Sequence, residues 1–125
     1  MVTLTIDHNA NDLAPLSRAL TTLHQLYPEQ PIHRVMLLLL IAQHPGATVR
    51  QLVEWTGLGQ ASVSRGLSEL SDQGRKHPVT KQQTTGLGLV MLVPDPQETR
   101  RHSIFLSQKG NALIRTLRQC MARKH

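Results

Sequence analysis

The chain has 125 residues, 14 of them Lys or Arg against 8 Asp or Glu, with 39% hydrophobic and only 2% aromatic residues. That length suits one domain of about 100–200 residues and leaves no room for a second independent core, and a core built from Leu, Val and Ile with so few rings favours helices over a β-sandwich. Residues 1–49 carry two cations against three anions, a net −1, whereas residues 50–125 carry twelve against five, a net +7, an asymmetry that points to a polyanion as partner of the second part.

In chain order, Asn11 or Asp12 is placed to cap a first helix, whose Leu13, Leu16, Leu20, Leu23 and Leu26 recur at three- and four-residue spacing until Pro28. Pro31 suits a first helical position, and Ile32 to Gln43 read as a second helix closed by His44, Pro45 and Gly46. Residues 35–41 are apolar on every side, so this helix is expected to be the buried centre. Thr48 and Gln51 have the spacing of a capping box at the start of a short third helix that packs Val49, Leu52 and Val53. Gly57 then supplies a left-handed turn and Gly59 an N-cap. A fourth helix follows from about Gln60 to Gln73, with Val63, Leu67 and Leu70 inward and Gly74 as terminator. Residues 75–86 lack a helical period and read as a loop. Leu87 to Val93 and Arg101 to Leu106 read as two strands joined by a polar turn, and Ser107 caps a last helix with Leu113, Ile114, Leu117 and Met121 on one face.

Two short helices joined by a Gly-containing turn and followed by a hairpin make a winged helix-turn-helix. The fold class expected is mainly α with a small β-hairpin. The helix-turn-helix spans residues 48–73 and the wing 87–106, while residues 1–30 and 107–125 form terminal helices. The second helix of such a pair enters the DNA major groove. With Val63, Leu67 and Leu70 turned inward, its outward face offers Gln60, Ala61, Ser62, Ser64 and Arg65. Arg pairs with guanine, Gln with adenine, Ala touches a thymine methyl and Ser reaches phosphate or base. Arg50, Lys81 and Arg100 are candidates for phosphate contacts.

The run from Thr48 through Ser62-Val63-Ser64-Arg65 to Leu70 resembles the MarR family of winged-helix regulators. The resemblance continues through residues 95–101 and Leu106-Ser107-Gln108-Lys109-Gly110, and in order it covers about residues 31–115. In the family pattern the wing carries an acidic residue and an arginine two positions on, here Glu98 and Arg100, ahead of a strand ending in Leu-Ser-x-x-Gly. The resemblance implies DNA contacts by Gln60, Ser62, Ser64 and Arg65, and a minor-groove or backbone contact by Arg100 or Arg101; Thr48 is a further candidate for a DNA contact. It also implies a homodimer joined through the terminal helices, acting as a repressor on a palindromic operator of double-stranded DNA. The chain departs from the pattern in its long 75–86 connection and its short last helix.

Other chemistries find little support. Cys120 is the single cysteine, so no internal disulfide forms. The seven histidines never fall at a three- or four-residue ligand spacing with another ligand pair, so no metal is expected. Gly86-Leu87-Gly88 lacks the third glycine of a dinucleotide fingerprint, no phosphate loop is present, and no nucleophile has a base and orienting acid beside it, so neither cofactor nor enzymatic activity is expected. The first residues lack a secretory pattern, and the longest apolar run, eight residues, falls short of the roughly 20 that cross a bilayer. A cytoplasmic protein without membrane contact is expected, its small-molecule effector, if any, unreadable. A winged-helix module for protein interaction without specific DNA binding is the alternative, and it gives no reason for twelve of fourteen cations to gather beyond residue 49.

Overall fold

A computed structural model describes residues 10–74, 79–82, 85–98 and 100–122. The chain divides into two compact units, one of Met1–Glu29 with Arg115–His125 and one of Gln30–Ile114.

In the first unit a 3-10 turn, Ala10–Leu13, leads into helix α1, Ala14–Leu26. The expected cap by Asn11 or Asp12 is not formed: Leu13 is the N-cap, in helical backbone and without a side-chain cap bond. The 3-10 turn carries the chain into the helix instead, and Pro15 in the first turn has the φ a helix start requires. Ala19 and Leu23 form the buried face, whereas Leu13, Leu16, Leu20 and Leu26 are 43–61% exposed, so most of the leucine stripe lies on the surface. The last half of helix α5, Gln108–Ala122, belongs to this unit. Arg18 Nε donates to the Cys120 carbonyl at 3.0 Å, and Thr22 Oγ1 lies 3.4 Å from Cys120 Sγ. Leu117 is buried, whereas Met121, expected on the same apolar face, is exposed.

The second unit begins with helix α2, Ile32–Gln43, its bounds as expected, with Pro31 as N-cap rather than first helical residue. Val35, Leu37, Leu38 and Ile41 are buried, but Ile32, Met36 and Leu39 are exposed. The helix therefore buries one broad face only, because the small sheet and the other helices of a unit this size do not surround it. A two-residue strand β1, Ala47–Thr48, joins strands β2, Val90–Pro94, and β3, His102–Leu106, in an antiparallel sheet of order β1-β3-β2. Sequence reading missed β1 and began the first hairpin strand three residues early. Residues 87–89 instead run against the end of the fourth helix.

That run explains why α4, Gln60–Leu70, stops three residues short of the expected Gln73. The amides of Leu87, Gly88 and Leu89 donate to the carbonyls of Glu69, Ser71 and Leu70 at 2.9, 3.1 and 2.7 Å. These carbonyls are satisfied by the returning chain, so the helix need not continue. Ser71, buried, holds the exit by donating to the Ser68 carbonyl at 2.8 Å and accepting from Gln73 N at 3.2 Å. Gly74 turns in left-handed backbone, φ +67°. At Gly86 any Cβ would run into the Ser71 carbonyl, so glycine is required for this approach.

Candidate nucleic-acid interface

The candidate interface is assembled from helix α3, Val49–Thr56, helix α4, and the tip of the hairpin. Thr48 and Gln51 form the expected capping box: Gln51 N donates to Thr48 Oγ1 at 3.2 Å, and Thr48 N donates to Gln51 Oε1 at 3.0 Å. Gly57 closes α3 at φ +74°, the left-handed turn expected of it. Thr56 tightens the turn by donating its hydroxyl to the Leu52 carbonyl at 2.6 Å and accepting from Leu58 N at 3.1 Å.

Leu52, Val63, Leu67 and Leu70 are all buried, which fixes the rotation of both helices. Packing of α4 on α2 is close at Gly66, where a Cβ would meet Leu37 Cδ1 at 2.7 Å, and an Arg34–Glu69 ion pair joins the same two helices. The outward face of α4 then presents Gln60, Ala61, Ser64 and Arg65 to solvent, with Ser62 half-buried. Gly59, in extended backbone, caps α4 with no side chain, so the positive end of the helix is open to an anion.

Strand β1 places the wing. Its pairing with β3, Ala47 opposite Ile104 and Thr48 opposite Ser103, sets the start of α3 beside the turn end of the hairpin. The hairpin continues in register from Val90 opposite Leu106 to Pro94 opposite His102. At its tip Asp95 N donates to the Arg101 carbonyl at 2.8 Å and Arg101 N to the Glu98 carbonyl at 2.9 Å. Between these elements lies a cleft of about 720 Å³, lined by Thr48, Arg50, Gln60, Arg100 and Arg101 together with Val49, Val53, Glu54, Glu98 and His102. Five of the ten residues expected to touch DNA thus converge on one concavity, and Ala61, Ser62, Ser64 and Arg65 continue along the helix that borders it.

Thr48 and Lys81 take different places. Thr48 is 8% exposed with its hydroxyl engaged by Gln51, so it contributes the geometry of the helix start rather than a free donor. Lys81 is exposed in left-handed backbone, φ +62°, on the connection that leaves the C-terminal end of α4, and it does not line the cleft. Sequence reading also overlooked Glu54, whose i,i+4 spacing from Arg50 was the available signal. Its Oε1 lies 3.6 Å from Arg50 Nε. Among the described residues no group of three or more His, Cys, Asp or Glu is arranged to hold a metal, and no helix is long and apolar enough to cross a membrane.

Neither a family model nor a curated protein matches the sequence. Among solved structures the chain is similar to MarR, at 18% identity and TM-score 0.58, covering 84% of this chain and 71% of MarR. It is similar to an S. aureus MepR mutant bound to an oligodeoxyribonucleotide, at 21% identity and TM-score 0.62, covering 84% of this chain and 66% of MepR. Streptococcus pneumoniae FabT in complex with DNA gives 16% identity and TM-score 0.63, covering 87% of this chain and 66% of FabT. The chain therefore has the winged-helix fold of the MarR-family transcriptional regulators, and it spans about two thirds of the length of these proteins.

Proposed function

We propose that the protein binds double-stranded DNA and regulates transcription, with α4 in the major groove and the wing along the backbone. The observation that carries this reading is the cleft itself: Arg50, Gln60, Arg100 and Arg101, from three separate elements, line one concavity beside the open N-terminus of α4. Cations at the rim suit phosphates, which position the protein, whereas Gln60, Ala61, Ser62, Ser64 and Arg65 on one helix face suit base edges, which specify the site. The DNA-bound state of the MepR and FabT structures supports the same reading. It extends to a homodimer on a palindromic operator, acting as a repressor, because a two-fold pair of such helices reads two half-sites about one helical turn apart.

Titration of a labelled random duplex, followed by selection of bound sequences from a random pool, tests the reading. Duplex binding that tightens on a selected, two-fold symmetric sequence is expected. A chain that binds no duplex at low salt overturns it and leaves the winged helix as a protein-docking module.

A further inference from the structure

We propose that Glu54 is a positioning residue that occupies Arg50 and so withholds it from DNA phosphate, setting how tightly the cleft grips any duplex; the proposal rests on the DNA-binding reading above. A cleft that served only to gather phosphates would have no use for a carboxylate, yet Glu54 lines this one together with Arg50, Arg100 and Arg101. It stands one helical turn after Arg50 on α3, its Oε1 3.6 Å from Arg50 Nε. The two side chains are 63% and 90% exposed, so in the free protein water screens the pair and neither is needed to hold the fold. Docked DNA displaces that water. The Arg50–Glu54 attraction and the Glu54–phosphate repulsion then both strengthen, and the phosphate must compete with Glu54 for one guanidinium.

Phosphate contacts carry no sequence, so a carboxylate that weakens them lowers attachment to arbitrary DNA, the largest competitor of a specific site. Glu98 lines the cleft as well, but it stands in the turn of the wing beside Arg100 and Arg101, whereas Glu54 stands one helical turn from Arg50.

The test compares the parent, Glu54→Gln, Arg50→Gln and the double variant on a random-sequence duplex by fluorescence anisotropy at several salt concentrations. Glu54→Gln is expected to bind about two- to fivefold more tightly, the effect of one unit charge at such distances in water. Its plot of log affinity against log salt should steepen by about one, the mark of one further phosphate neutralised. When Arg50 is also Gln the steepening should vanish and the gain in affinity should shrink, because only the Glu54–phosphate repulsion is then relieved, a dependence that a structural role for Glu54 would not produce. Parent binding with no gain from Glu54→Gln, or an equal gain without Arg50, overturns the proposal alone; a parent that binds no duplex overturns the DNA-binding reading with it.

Discussion

Gly110 and Ser107 illustrate how single residues set the position of the wing. The Ser107 hydroxyl accepts from Gly110 N at 3.0 Å, capping α5, and donates to the Gly88 carbonyl at 2.6 Å. Ser107 N donates to the Leu89 carbonyl at 2.9 Å, and a Cβ on Gly110 would overlap that same carbonyl. The Leu-Ser-x-x-Gly segment is therefore a clamp in which the end of β3 and the start of α5 close on residues 88–89. Gly110→Ala must move backbone rather than a flexible side chain, and a loss of about 1–3 kcal/mol in urea unfolding is expected, as for other overpacked sites. Thr48→Ala removes one arm of the capping box and should cost about 1 kcal/mol, read in the same experiment. Arg65 is exposed on α4, and on the proposed reading it serves recognition rather than folding. Arg65→Ala should leave the unfolding midpoint in place and weaken a selected DNA site by roughly 1–3 kcal/mol, with a much smaller loss on random duplex. Equal loss on both would make Arg65 a phosphate contact.

Elements differ in how far the sequence dictates them. The bounds of α2, the capping box of α3, the Gly57 turn and the Gly59 start of α4 were all legible, because each depends on local chemistry within a few residues. Strand β1 was not: two residues, Ala47 and Thr48, become a strand only because Ile104 and Ser103, more than fifty residues on, pair with them. The end of α4 was misplaced for the same reason, since its last carbonyls are taken by residues 87–89. The candidate site inherits this division. Its residue types were readable from the face of α4 and the wing with its Glu98 and Arg100, but the convergence of Arg50 with Arg100 and Arg101 depends on β1, and Glu54 beside them was overlooked. The wing's contribution follows from this placement. Arg100→Ala with Arg101→Ala should weaken selected and random duplexes by similar factors and flatten the salt dependence by about one to two in slope, because backbone contacts release counterions without reading sequence. Parent-like binding by this variant to both duplexes would remove the wing from the interface.

At the scale of the whole molecule, the placement of apolar surface bears on assembly. Leu13, Leu16 and Leu20 recur along α1, each at least 43% exposed, and Met121 of α5 is 51% exposed in the same unit. Scattered exposed leucines are ordinary, but a stripe at helical spacing is the kind of surface that a second copy covers. In the proposed two-fold dimer such a stripe packs against its own equivalent and brings two copies of the chain to one palindromic site. On that reading the second half-site is met at high effective concentration, so affinity for a full operator depends on the stripe. Leu16→Glu with Leu20→Glu should therefore convert a dimer to a monomer in sedimentation at concentrations on the order of tens of micromolar, while leaving the far-UV spectrum intact because both positions are solvent-facing. The same variant should bind an isolated half-site as the parent does and a full two-fold site at least about tenfold more weakly. A parent that sediments as a monomer under these conditions, or a variant that keeps full-site affinity, would mean that each copy reads DNA alone and that the exposed leucines serve some other contact.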